Sequence, residues 1–463
     1  MTCAKRHMSS QHSDRRSRIL LWSLIVIAAF AAGCASLRPS NQPLDRIDLE
    51  RGYRPERIAH QRPIGEVALA LAFSGGGTRA AALSYGVLLE LRDTTITIGG
   101  KPVRLLDEVD TISSVSGGSF TAAYFGLYGD RIFEDFEERF LKRNVERDLL
   151  LRILQPQNLI RLIFPFFDRS ELVIQYYDEQ IFDGARFADL AEAHGPMIQI
   201  NSTDLTGGGK FTFVQSQFDL LCSDLSALKV ALAVTASSAV PVVFPAITLK
   251  NYAGKCDYER PDWFSDALAS RKTNPRRYHL ASELNAYLDR DKTRYLHLVD
   301  GGIADNLGVR GPLDNMVEAG GMWNRWKDMG TKPPHSVVFI IVDSSTSPDR
   351  AFVSMPGAPS LSAIIGSMSN TQLHRYNFET KELLREKMRD WARDMASHGE
   401  PISPHMIDLS EYGISDAAEI EFFNSVPTAL SLDDETVDRL IAIGRQLLRE
   451  SEEFKSLLAE LRD

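Results

Sequence analysis

Short apolar runs recur along this chain at Val67 to Phe73, Asp110 to Ser114, Met197 to Ile200, Tyr295 to Val299, Val337 to Val342 and His405 to Leu409. Each is bounded by turn residues and suits a buried strand better than a core helix. Between them lie stretches with helical spacing. Thr78 to Leu91 is free of proline, Ser119 to Tyr124 is built of small residues, and Asp433 to Leu461 reads as an amphipathic helix. Strands alternating with helices predict an α/β fold around a mostly parallel sheet. No internal repeat and no linker divides the pattern, so residues 67–445 are expected to form one domain, with 446–463 as the end of the last helix.

The N-terminus follows another pattern. Ile19 to Phe30 is a largely apolar run of twelve behind a basic leader, short of a membrane span and the right size for the core of a signal peptide. It leads to Ala31-Ala32-Gly33-Cys34-Ala35-Ser36, small residues before a cysteine, which resembles the lipobox of bacterial lipoproteins. That resemblance implies removal of residues 1–33 and a lipid anchor on Cys34. The expected location is the bacterial cell envelope, on the outer membrane facing the periplasm, with a secreted or periplasmic protein as the alternative. Residues 34–66, polar and punctuated by Pro39, Pro43, Pro55 and Pro63, read as a tether. Cys222 and Cys256 would then sit in an oxidising compartment, where a disulfide or two buried thiols are both compatible with the sequence. No ligand spacing of His and Cys points to a metal site.

Charge narrows the choice of partner. The formal net charge is −10; residues 1–33 hold five of the 52 basic side chains and one of the 62 acids, so the rest carries 47 against 61, a net −14. No run of basic residues relieves this balance, so phosphate-backbone binding has no electrostatic footprint and no nucleic-acid partner is expected.

Three loops carry candidate chemistry. Gly75-Gly76-Gly77-Thr78-Arg79-Ala80, between a strand and a helix, has the form of a backbone cradle for an anion. By itself this loop fits a dinucleotide pyrophosphate or the oxyanion of an acyl transfer equally well. Ser114-Val115-Ser116-Gly117-Gly118, at the next strand-to-helix turn, is close to the elbow that exposes a nucleophilic serine. Asp300-Gly301-Gly302 follows another strand directly and places a carboxylate at its end.

Together these motifs resemble the patatin-like phospholipases, over roughly residues 67–445. The family's oxyanion loop falls on Gly75, Gly76, Gly77 and Arg79, its nucleophile on Ser116 and its acid on Asp300. Further matching segments are Asn201-Ser202-Thr203-Asp204, Ala236-Ser237-Ser238-Ala239-Val240-Pro241, Asn306-Leu307-Gly308 and Asn424-Ser425-Val426-Pro427-Thr428. The sequence departs from the family at Ser114 and Ala80, where glycine is usual; both are small. The resemblance implies a three-layer α/β/α fold and ester hydrolysis by a Ser116–Asp300 dyad without metal or organic cofactor. The oxyanion donors would be backbone N–H groups at Gly75, Gly76, Gly77 and Gly117. The substrate would be a phospholipid or another lipid ester at a membrane surface. Arg79 would either anchor the loop or attract a phosphate headgroup. Two other readings stand beside it, a Rossmann-type nucleotide binder and a catalytically silent lipid-binding lipoprotein. Leu149 to Phe167, dense in large apolar residues, would cap an acyl site and meet the membrane or else pack in the core. Lys381 to Asp394 reads as a solvated, charged helix face, with a partner-binding surface as the alternative.

Overall fold

In the run Val67–Phe73, large and small residues alternate, and the two sets end on opposite faces of the sheet. Leu69, Leu71 and Phe73 enter the main hydrophobic core, while Ala68, Ala70 and Ala72 face a second, thinner one. Ser336–Val342 divides in the same way, with Val338, Ile340 and Val342 on one side and Val337, Phe339 and Ile341 on the other. A strand apolar on both faces must be covered twice, and helices cover it. The computed structural model describes residues 41–461 except 163, 165–166, 242–243 and 348–360; for residues 361–370 it describes the backbone alone.

The sheet contains β1 (Val67–Phe73), β2 (Val109–Val115), β3 (Met197–Asp204), β4 (Lys210–Thr212), β5 (Ile247–Lys250), β6 (Tyr295–Asp300), β7 (Ser336–Val342) and β8 (Ser403–Leu409). Its order is β8-β7-β1-β2-β3-β6-β5, with β4 paired to β3 beside this path. Strands β8 through β3 are parallel; β6, β5 and β4 join antiparallel. The fold is thus α/β/α with a mostly parallel sheet, as the sequence pattern predicts. Because β1 has β2 on one side and β7 on the other, its C-terminal end lies at the topological switch point where open α/β sheets form their sites.

On the main face pack α1 (Gly77–Asp93), α2 (Gly117–Tyr128), α3 (Val145–Ile153), α5 (Arg169–Gln180) and α6 (Val230–Ser237); α4 (Pro156–Arg161), between α3 and α5, buries only Asn158. The long α7 (Leu361–Ser397) covers the other face through Leu384, Met388, Trp391 and Met395. Lys381 departs from the solvated face expected of this helix: it is buried between Asp343 and Asp408, 2.8 Å from each, and ties α7 to the ends of β7 and β8. The tail forms two helices, α8 (Asp434–Glu450) and α9 (Glu452–Glu460), separated at Ser451, whose hydroxyl caps the second. Leu440, Ile443, Leu447 and Leu448 of α8 are buried, each worth about 1.5–3 kcal/mol of apolar burial. Phe454 and Leu457 of α9 are buried too, so residues 446–461 belong to the same body as the rest.

The segment read as a tether lies against that body from residue 41 onward. Tyr53 is buried and its hydroxyl accepts from the Ile198 N–H at 2.6 Å; Arg54 and Asp219 form a buried ion pair at 2.6 Å. A few anchoring side chains suffice, and composition alone does not reveal them. Cys222 and Cys256 form a disulfide. Residues 1–33 and Cys34 lie outside the described residues.

Candidate active site

Strand β2 ends at Val115 and helix α2 begins at Gly117, so Ser116 alone makes the turn. Its backbone takes φ 49° and ψ −120°, a conformation that costs a non-glycine residue on the order of 1–3 kcal/mol. Its surroundings hold it there. The Ser116 N–H donates to Ser237 Oγ at 2.9 Å, and its carbonyl accepts from the Ser119 N–H at 3.0 Å. Gly117 packs so tightly on the first loop that a Cβ there would overlap the Gly77 carbonyl oxygen. A serine opening a helix ordinarily caps it with its own hydroxyl. Here the hydroxyl points elsewhere, donating to Asp300 Oδ2 at 2.9 Å.

Asp300 reaches this position by an unexpected route. Its strand, β6, runs antiparallel to β3 and stops where Asp300 pairs with Ser202, next to Asn201, which pairs with Val115 of β2. The shared neighbour β3 therefore brings acid and serine together. The second carboxylate oxygen accepts from the Gly302 N–H at 2.8 Å. Burial pushes the Asp300 carboxyl up to about 6, against the opposing pull of the Gly302 N–H and the Ser116 hydroxyl. No histidine among the described residues bonds to either member. His297 shares a 3.0 Å hydrogen bond with Thr248, and His405 with Glu460.

The glycine loop closes over the same point from β1. Gly76 and Gly77 have φ 143° and 62°, and a side chain on either would overlap Ser344 Oγ or the Ala429 carbonyl. A Cβ on Gly75 would lie 3.3 Å from the Ser116 Cβ, so the loop abuts the serine. The N-termini of α1 and α2 thus converge, with Gly76, Gly77 and Gly117 at positions whose N–H groups have no acceptor within their own helices. Gly75 differs from the expectation: its N–H already donates to the Asn306 carbonyl at 2.9 Å, so it is not a free oxyanion donor.

Arg79 anchors the loop. It is buried, with Nε donating to the Ser344 carbonyl at 2.9 Å and its two terminal nitrogens donating to the Val426 carbonyl and to Thr428 Oγ1. Burial pushes its guanidinium down to about 10, partly countered by Asp343. All three nitrogens serve the protein, so the headgroup alternative has no support here.

Several participants carried no assigned role in the sequence. Ser237 holds the elbow N–H, donates to the Asn201 carbonyl at 2.6 Å, and offers its own carbonyl to the Gly301 N–H at 3.0 Å. One residue thereby grips both halves of the pair. Its signal was a small polar side chain ending an apolar helix, in a segment that matches the family. Asn201 braces the strand end, donating to Ser113 Oγ and the Ser114 carbonyl. Ser344, under Gly76, left no signal. A cavity of about 1010 Å³ elsewhere, lined by Arg54, Asp204, Lys210, Trp263 and Glu283, contains neither Ser116 nor Asp300.

A family model described as patatin-like phospholipase matches residues 71–313, which hold the glycine loop, Ser116 and Asp300. Among solved structures, human GIVD cytosolic phospholipase A2 is similar in fold, with a TM-score of 0.50 and 11% identity over 92% of this chain and 68% of that one. The same human enzyme in complex with methyl gamma-linolenyl fluorophosphonate aligns with a TM-score of 0.44 and 12% identity, over 92% and 66%. No curated protein sequence matches the chain.

Proposed function

The chain belongs to the patatin-like phospholipase family, and from that premise we propose that it is a serine acyl hydrolase of phospholipids or lysophospholipids using a Ser116–Asp300 dyad. Ser116 Oγ attacks the ester carbonyl carbon while its proton passes to Asp300. The carbonyl oxygen, now negative, takes hydrogen bonds from the N–H groups of Gly76, Gly77 and Gly117, each such donor worth about 3–4 kcal/mol in comparable sites. Collapse expels the alcohol, which leaves with the proton from Asp300, and an acyl group remains on Ser116. Water then attacks this ester, giving its proton to Asp300; collapse breaks the acyl–Oγ bond, Ser116 Oγ takes that proton back from Asp300, and the fatty acid departs.

The observation that carries this reading is the 2.9 Å hydrogen bond from a strained elbow serine to a buried carboxylate pushed up to about 6. A base in that range accepts a proton near neutral pH far better than an ordinary aspartate. The nucleotide-binding alternative is not kept, because the glycine loop is packed against the serine elbow and its residues fall within the family match. We extend the proposal to location: Cys34 carries a lipid anchor in the cell envelope and the substrate is met at a membrane surface. The Cys222–Cys256 disulfide supports an oxidising compartment.

The test is fatty-acid release from a panel of diacyl and lysophospholipids. Wild-type protein releases fatty acid, and Ser116→Ala releases at least about a hundredfold less while remaining folded. Undiminished release by Ser116→Ala would overturn the proposal.

A further inference from the structure

Helices α3 and α4 form a short hairpin that overlaps the apolar segment Leu149 to Phe167. Its inner side is ordinary core: Val145 and Leu149 are buried. Its outer side is not. Leu150, Leu151, Leu154, Leu159, Ile160 and Phe164 are each 46–58% exposed. Other exposed large apolar residues among those described, such as Tyr295 and Tyr412, are scattered. Single exposed apolar residues need no explanation, but six within fifteen positions do.

The hairpin is tied at both ends to the frame of the Ser116–Asp300 site. At its start, the Glu146 N–H donates to Ser431 Oγ at 3.1 Å, and Glu146 Oε1 accepts from the Leu430 N–H at 2.9 Å. The adjoining Ala429 carbonyl accepts from the Thr78 N–H at 2.8 Å, beside the glycine loop. After its end, Ser170 Oγ donates to the Pro245 carbonyl at 2.9 Å, in the segment beginning at Ala239, whose carbonyl accepts from the Asp300 N–H at 2.9 Å. The first attachment leads to the oxyanion side and the second, through α5, to the acid side, so the hairpin and the helix that follows it are joined to both sides of the site's frame. The hairpin's charge is also distinctive. From Leu149 to Phe167 there are two arginines, Arg152 and Arg161, and no acid, in a chain of net charge −10; Arg152 pairs with Glu179 of α5 at 2.6 Å, while Arg161 lies over the Phe167 ring.

We propose that this hairpin is the surface with which the protein docks on a phospholipid bilayer, its leucines and Ile160 entering the interface beside the Ser116–Asp300 site. The inference rests on the hydrolase reading. Short helices with an exposed apolar side lie in the plane of the headgroup–acyl boundary, and Arg161 suits an anionic headgroup. The acidic remainder of the surface is repelled by the same lipids, which fixes the orientation and presents the site to its substrate.

The experiment uses the full chain with Leu154→Trp, and Tyr295→Trp at the opposite end of β6 from Asp300 as the control. Vesicles are phosphatidylethanolamine and phosphatidylglycerol with acyl-chain bromines. Emission of the Leu154→Trp protein should be quenched at least about twofold more than that of the wild type or the control. A second variant, Leu150→Asp with Leu154→Asp and Ile160→Asp, should lose at least about tenfold of its activity on vesicles while keeping hydrolysis of a soluble short-chain ester within about twofold. Equal quenching of Leu154→Trp and the control, or equal losses on both substrates, would overturn the docking surface. Unquenched Leu154→Trp with full vesicle activity in the triple variant would assign the patch to a protein partner and also overturn it. A wild type inactive on the soluble ester and on vesicles would instead refute the hydrolase reading, while the quenching result still decides docking.

Discussion

Replacing Asp300 by asparagine removes the proposed base and a costly buried charge in one step, with little change of shape. The carboxyl, pushed up to about 6 in the folded protein, has an ordinary value near 3.9 when the chain unfolds. The folded state therefore holds the proton more tightly. Between about pH 4 and pH 6 it binds more protons than the unfolded state, so this group makes stability fall as pH rises through that window. Above pH 6 the whole penalty is present. About two pH units at about 1.36 kcal/mol each come to roughly 3 kcal/mol, with the hydrogen bonds from Gly302 and Ser116 already included. Asparagine has no charge to desolvate. Urea unfolding at pH 8 should show Asp300→Asn more stable than wild type by up to about 3 kcal/mol, through a higher midpoint at unchanged slope. Near pH 4 the two should coincide. Turnover should fall at least about a thousandfold, and wild-type kcat/KM should lose activity as pH falls through about 6. A variant no more stable than wild type at pH 8 would refute the electrostatic argument, and one that kept its turnover would refute the base.

Ser237→Ala strands the elbow N–H of Ser116 and should cost about 1–3 kcal/mol, seen as a five- to hundredfold lower kcat with KM little changed; an unchanged kcat would show that the elbow holds itself. Cys34 should carry acyl chains at the N-terminus of the mature protein, measured as intact mass after detergent extraction, and an unmodified Cys34 or a different N-terminus would contradict the anchor. Removing the Cys222–Cys256 bridge by a double serine substitution should lower stability by about 3–4 kcal/mol for a loop of 34 residues, measured by urea unfolding; no loss would indicate a bridge without structural weight.

How far the sequence could be read follows from the range of each signal. Strand runs, helix spacing and the three glycine- and serine-bearing turns are local, because a tight turn or a buried strand constrains consecutive residues. Those features appear in the fold as read, except that the tail, read as one helix, breaks at Ser451 into two. What brings Ser116 and Asp300 together is not local. It depends on β3 pairing parallel with β2 and antiparallel with β6, which no run of residues announces. Gly75 shows the same limit, since the claim on its N–H comes from the Asn306 carbonyl, more than two hundred positions away. Arg79 was ambiguous because an arginine beside a glycine loop serves a ligand or the protein with the same donors; only the acceptors in the 426–428 loop decide. Residues 41–66 look unstructured by composition because a few side chains, Tyr53 and Arg54 foremost, hold them down.

In the proposed mechanism Ser116 is a nucleophile activated by Asp300. A fluorophosphonate forms a stable bond only with an activated serine, and peptide mapping locates it. Stoichiometric phosphonylation of Ser116, falling sharply in a folded Asp300→Asn protein, is the predicted result. An unlabelled Ser116, or equal labelling rates with and without the Asp300 carboxylate, would contradict it.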